Sequence, residues 1–83
     1  MRTAETIAIN EKLEIVKLTN QRFKAPGGYY IPNGYAFRHP ELGYPSFDGE
    51  LPYRPKGGKA VLQETLALGG FVNFDGISWV KEI

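Results

Sequence analysis

The clearest hydrophobic pattern in the chain is helical and lies in residues 59–68. Apolar residues such as Leu62 and Leu66 fall on one face at spacings of three and four, and polar residues such as Gln63 occupy the other face. Gly69-Gly70 follows the segment and suits a left-handed helix end. Because a helix of about three turns is marginal alone, we expect it to pack on a sheet.

A β-hairpin is predicted within residues 28–38, where two aromatic-rich runs flank Asn33-Gly34. This dipeptide favours positive φ at both central positions of a type I′ two-residue turn. Pro32 cannot donate to a strand ladder, so we expect it at the turn or on a sheet edge.

The same rule predicts a second hairpin towards the end of the sequence. Its strands would be residues 71–74 and 77–81, and its turn would be Asp75-Gly76. Trp79 lies in the middle of the second strand, and we expect its ring in the core.

Residues 3–19 fit two patterns. Ile9, Leu13 and Val16 form a helical stripe, and Asn10 could cap such a helix. The alternative is a short hairpin of residues 7–9 against residues 13–18, with residues 10–12 as its turn. The helix is our preferred interpretation.

These elements predict the fold class α+β. We expect one small domain spanning residues 1–83, with a mostly antiparallel sheet built from two β-hairpins and one or two short helices packed on it. Residues 39–58 are rich in proline, glycine and tyrosine and are predicted to form a long loop. Loops of that length tend to be functional.

The composition excludes several classes of protein. The chain contains no cysteine, so it has neither disulfides nor thiolate metal ligands. No run approaches the roughly 18 apolar residues of a membrane-spanning helix. The first residues lack an apolar signal segment. We therefore expect a cytoplasmic protein with no membrane partner.

Three motifs with candidate chemistry are weak. His39 is the only histidine, and with Glu41 it supplies two ligands where a zinc site needs four. Asp48-Gly49-Glu50 is typical of a turn, in which aspartate bonds its own backbone. Residues 56–59 open a helix with two lysines around two glycines but lack the P-loop pattern. We expect no enzymatic activity, no metal and no cofactor.

The leading functional hypothesis is a small binding protein that acts as regulator, inhibitor or accessory subunit of a larger protein. Tyrosine, phenylalanine and arginine in the middle of the chain are of the types that dominate protein interfaces. The predicted contact residues are Tyr29, Tyr30, Tyr35, Phe37, Arg38, Tyr44, Phe47, Tyr53 and Arg54. The alternative role for these rings is the core of the domain itself.

The second hypothesis is a modest nucleic-acid-binding module. The net charge is only +1, but residues 22–59 carry six bases against three acids. Bases that alternate with aromatic rings can hold phosphates while the rings stack on nucleobases. The predicted nucleic-acid contacts are Arg22, Lys24, Arg38, Lys56 and Lys59.

Overall fold

A computed structural model describes residues 4–70 and 77–83. Two helices and six short strands are found in this part of the chain, and all strand pairs are antiparallel. The α+β class predicted from the sequence is confirmed. In chain order the elements are α1 (Ala4–Glu11), β1 (Glu14–Leu18), β2 (Phe23–Ala25), β3 (Gly28–Tyr30), β4 (Gly34–Arg38), β5 (Tyr44–Ser46), α2 (Lys59–Ala67) and β6 (Ser78–Val80).

The strands form three two-stranded ribbons, β1–β4, β2–β3 and β5–β6. In the β1–β4 ribbon Ile15 lies opposite Phe37, and Val16 lies opposite Ala36. Because successive side chains point to opposite faces of a strand, these two pairs lie on opposite faces of the ribbon. Each pair packs into a different hydrophobic cluster, so the ribbon is the middle layer of the domain.

The first cluster lies between the β1–β4 ribbon and the two other ribbons. Phe23 from β2 and Tyr44 from β5 meet edge to face, with ring centroids 5.0 Å apart. They pack with Leu18 and Ala36, and Val16, Leu51 and Val80 border the cluster. This cluster therefore ties β2 and β5 to the same face of the middle layer.

The second cluster lies on the opposite face and holds α2. Leu62 of α2 is fully buried and packs with Leu13 and Phe37. Leu66 borders the cluster, so one face of the helix is covered as its sequence pattern predicts.

The predicted helix and its glycine end are confirmed. Leu68 is the C-cap residue of α2, and Gly69 follows it with a φ of 98°. The Gly70 N–H donates to the Thr65 carbonyl at 2.7 Å, and the Gly69 N–H donates to the Leu66 carbonyl at 2.9 Å. This pair of bonds is the Schellman arrangement, which satisfies carbonyls that the helix end leaves open. A Cβ at Gly70 would overlap Asn10, so the end of α2 lies against α1.

The predicted hairpin at Asn33-Gly34 is wrong. β3 pairs with β2, β4 pairs with β1, and residues 31–33 carry the chain from one ribbon to the other. The turn is instead Pro26-Gly27, where proline fixes the first central φ and Gly27 has a φ of 84°. β4 pairs with β1 because the apolar residues of these two strands contribute to both hydrophobic clusters.

The helix preferred for residues 3–19 is confirmed for Ala4–Glu11, which form α1. It is wrong for Glu14–Leu18, which form β1. The chain leaves the helix at Lys12 and Leu13, whose N–H groups donate to carbonyls of Ile9 and Asn10. The β-branched residues that follow favour a strand once a partner strand is available. The first strand and turn of the second predicted hairpin lie outside the described residues, and β6 pairs with β5.

Residues 39–58 are more ordered than the long loop predicted for them. They contain β5 and an antiparallel bridge between His39 and Gly43. A Cβ at Gly43 would overlap the Val80 carbonyl oxygen, so the bridge and β6 approach closely.

Candidate binding surface

The β2–β3 ribbon projects its second strand into solvent. Tyr29 is 54% exposed, Tyr30 is 49% exposed, and Ile31, which follows the strand, is 43% exposed. The opposite strand anchors the ribbon through Phe23, whose side chain is fully buried in the first cluster. Three consecutive large side chains, in and just after β3, are thus exposed to water.

Basic side chains share one face of this ribbon with a tyrosine. Lys24 lies directly opposite Tyr29, and such pairs point to the same side. The Arg22 guanidinium carbon lies 4.7 Å from the centroid of the Tyr29 ring. This distance is that of a cation–π contact between the two side chains. We call Arg22, Lys24, Tyr29, Tyr30 and Ile31 the hairpin surface, in which Tyr30 lies opposite Phe23 and therefore on the other face of the ribbon from Tyr29 and Lys24.

A second exposed ring belongs to Phe47, which directly follows β5. Phe47 is 58% exposed and meets Tyr53 edge to face, with ring centroids 5.0 Å apart. Arg54 donates from Nη1 to the Asn33 carbonyl at 3.1 Å. Asn33 is two residues after Ile31, and two residues of chain span at most about 7 Å. We call Phe47, Tyr53 and Arg54 the Phe47 patch. Arg54 joins it to the chain near Ile31, whereas Tyr53 borders the second cluster.

The structure divides the nine predicted partner contacts. Phe37 and Tyr44 are buried in the two clusters, so their assignment to a binding surface is corrected to the core. Tyr35 is half-buried and borders the second cluster. Arg38 is half-buried, and its positive charge acts to lower the pKa of Tyr44. Tyr53, like Tyr35, is half-buried and borders the second cluster, and Arg54 is half-buried. Of the nine residues, Tyr29, Tyr30 and Phe47 are exposed.

The environment of Tyr44 keeps its hydroxyl neutral. Burial of the ring raises the pKa of Tyr44, and the charge of Glu82 raises it further, while Arg38 opposes both effects. The raised pKa identifies this hydroxyl as a buried structural group, because the neutral form suits the core.

The five predicted nucleic-acid contacts do not form one surface. Arg22 and Lys24 belong to the ribbon that packs on one face of the middle layer. Lys59 begins α2, which packs on the other face, and Lys56 lies in the turn just before α2. Arg38 is engaged with Tyr44. The cations are therefore divided between two sides of the domain.

His39 has a structural role. Its ring is buried, and its Nδ1 accepts hydrogen bonds from the N–H groups of Glu41 and Leu42, both at 3.1 Å. The ring also meets Trp79 edge to face at 5.8 Å. Since Nδ1 is an acceptor here, the ring carries its proton on Nε2. In the described part of the chain, no three histidine, aspartate or glutamate side chains are grouped as metal ligands.

Asp48 forms the turn that its sequence predicts. Its Oδ1 accepts from the N–H groups of Glu50 and Leu51 at 2.8 and 3.1 Å and from the Ser46 hydroxyl at 2.9 Å. The backbone bond from Glu50 is the largest of the contacts that lower the pKa of Asp48. Gly49 occupies the turn with a φ of 79°. The Asp48 carboxylate therefore stabilises its own loop through these hydrogen bonds.

Sequence reasoning missed Ile31 and the groove beside the ribbon. The exposure of Ile31 was not predicted, because the predicted hairpin over residues 28–38 placed this residue in a paired strand. A groove of about 540 Å³ separates the hairpin tip from the turn at Gly49 and from the last residues of the chain. It is lined by Lys24, Ala25, Pro26, Gly49, Glu50, Val80, Lys81 and Ile83.

Comparison with known proteins identifies no relative of this chain. No family model matches the sequence, and neither the curated proteins nor the solved structures contain a match. No helix in residues 4–70 and 77–83 has the length and apolar character needed to cross a membrane.

Proposed function

We propose that this chain is a small non-enzymatic binding protein that acts as regulator, inhibitor or accessory subunit of a larger protein. The contact would be made by the hairpin surface together with the Phe47 patch. The observation that carries the proposal is the run Tyr29, Tyr30 and Ile31, which is exposed on a ribbon whose own packing depends on a different residue, Phe23.

The chemistry of the run suits a protein partner. Large apolar side chains held together in water mark interaction sites more often than they mark stability. Tyrosine loses little conformational freedom on binding and combines an apolar ring with a hydroxyl, so it is common among dominant contact residues. Burying the exposed parts of the three side chains would contribute on the order of 1 kcal/mol each.

The experiment is affinity capture of interacting proteins with the tagged full chain in a lysate of its source cells. Half of the lysate is treated with nuclease, and each half is washed at low and at high salt before mass spectrometry. We expect one protein in near-stoichiometric amount that survives both treatments. Its recovery should fall at least tenfold for Tyr29→Ser/Tyr30→Ser, which corresponds to about 1.4 kcal/mol of binding free energy.

The matched control is Leu68→Ser, which removes another exposed apolar side chain at the end of α2. This residue lies on the helix side of the middle layer, so the same partner should be recovered unchanged. Equal recovery by the double tyrosine variant would contradict the proposal, as would a loss of equal size in both variants.

A modest nucleic-acid-binding module remains the second candidate. It is favoured by one observation, the shared face of Arg22, Lys24 and Tyr29, where a base could stack beside two cations. It predicts that binding falls steeply with salt and is lost in Lys24→Ala. Capture that survives nuclease and high salt would reject it.

A further inference from the structure

The two edges of the β2–β3 ribbon differ in what lies beside them. On the β2 edge, the Ile83 N–H donates to the Arg22 carbonyl at 2.8 Å, so a later residue of the same chain contacts that edge. On the β3 edge, no strand is paired among residues 4–70 and 77–83. The β3 edge is therefore the open one.

The register shows which backbone groups the open edge offers. Pro26 and Gly27 make a two-residue turn, so Ala25 and Gly28 form the closing pair, and Phe23 and Tyr30 form the next pair bonded across the ribbon. Lys24 and Tyr29 form the pair between them, whose N–H and C=O groups point outward in an antiparallel ladder. The same alternation turns the Arg22 carbonyl outward, as its bond to Ile83 demonstrates.

Charge restricts the side chains of a strand that could be added. Residues 15–40 contain no aspartate or glutamate, and their four cations are Lys17, Arg22, Lys24 and Arg38. Two of these cations, Arg22 and Lys24, lie on the face that carries Tyr29. An acidic strand would meet opposite charge there, whereas a basic strand would be repelled.

We propose that an extended, acidic segment of the protein partner binds by adding a strand to the open edge of β3, with the Tyr29 N–H and C=O as its backbone contacts. Arg22 and Lys24 lie one strand further in, on the face that carries Tyr29, and attract the carboxylates that the added strand presents on that face. This inference rests on the proposed function and specifies how the hairpin surface binds. Strand addition uses backbone hydrogen bonds for affinity and alternate side chains for specificity. A nucleic acid lacks the alternating amide groups that would pair with Tyr29, so the open edge favours a peptide.

The probe is a capped nine-residue peptide that alternates valine and glutamate, titrated into the isotopically labelled full chain. We expect saturable chemical-shift changes that are largest at residues 28–31 and slowed hydrogen exchange at the Tyr29 amide. A peptide that alternates valine and lysine should bind at least tenfold more weakly. No saturation by the acidic peptide up to about 1 mM, equivalent to about 4 kcal/mol of binding free energy, would overturn the proposal.

N-methylation of the probe tests the backbone contacts without changing the protein. Two versions carry methyl groups on alternate amides, one set on each edge of the added strand. Methylation of the edge facing β3 should abolish binding, and methylation of the outer edge should leave it within about threefold. Equal binding of the two versions would overturn the proposal.

Two charge reversals test the electrostatic part. Lys24→Glu should weaken the acidic probe at least tenfold, whereas Lys59→Glu, the same change on the opposite side of the middle layer, should leave its affinity unchanged. Equal effects would contradict a local contact at Lys24. Displacement of the probe by an oligothymidylate, with the same dependence on Lys24, would show that the surface binds nucleic acid and would overturn the proposal.

The outcomes separate the mode of binding from the proposed function. If capture depends on Tyr29 and Tyr30 but the probe does not bind, the binding surface stands and strand addition is rejected. If capture does not depend on these tyrosines, the proposed function fails as well.

Discussion

The β1–β4 and β2–β3 ribbons are both two-stranded antiparallel pairs, yet they are packed differently in the domain. The β1–β4 ribbon is covered on both faces, with Ala36 in one hydrophobic cluster and Phe37 in the other. The β2–β3 ribbon is anchored by Phe23 and presents Tyr29 and Tyr30 to water. Phe37 and Phe23 are therefore enclosed in the core, whereas Tyr29 and Tyr30 of the β2–β3 ribbon are exposed.

The largest effect on stability is expected at the middle layer. Phe37→Ala removes a fully buried ring between Leu13 and Leu62 and should cost about 3–5 kcal/mol of unfolding free energy, a large part of the stability of a small domain. Urea unfolding followed by far-ultraviolet circular dichroism measures this loss. A loss below about 1 kcal/mol would contradict the role of the ribbon as the packed layer.

A smaller loss is expected at His39, which stabilises the bend between β4 and β5. His39→Ala leaves the Glu41 and Leu42 N–H groups without their acceptor and should cost about 2 kcal/mol. His39→Asn is the matched variant, since an asparagine oxygen can accept from an N–H two residues ahead. Asparagine should recover part of the loss in the same urea assay, and an equal loss in both variants would contradict the acceptor role.

A still smaller effect on the free energy of unfolding is expected when alkaline pH ionises Tyr44 in the first cluster. The pKa of Tyr44 is raised in the folded state, so its contribution to stability is fully present below about pH 10 and is lost as the pH rises through the folded pKa. Thermal unfolding of Tyr44→Phe between pH 9 and 11 should lack that part of the alkaline decline. An alkaline decline in Tyr44→Phe equal to that of the wild-type chain would contradict this linkage.

Local features of the fold could be predicted from sequence, and long-range pairing could not. The helix ending at Gly69 and the turn around Asp48 are fixed by residues within a few positions of one another. The partner of β4 is decided by the apolar residues of β1, about twenty positions earlier, and this choice overrides the turn preference of Asn33-Gly34. Competition between distant strands leaves no local sequence signal.

The sequence predicts which residue types form the candidate surface, but it does not predict which individual tyrosines are exposed. Tyr29 and Tyr44 are the same residue type in similar surroundings of glycine and proline, but one is exposed and the other is buried. What separates them is the pairing of their strands, since β5 faces the first cluster and β3 does not. Ile31 is exposed because β3 pairs with β2 and not with β4.

The most direct test of the account is the unfolding free energy of Tyr29→Ser/Tyr30→Ser, measured by urea titration beside the wild-type chain. If recognition and packing are divided between the two ribbons as described, the double variant should lie within about 0.5 kcal/mol of wild type, as for surface substitutions in general. A loss of about 2 kcal/mol or more would show that these rings belong to the core and would contradict the division.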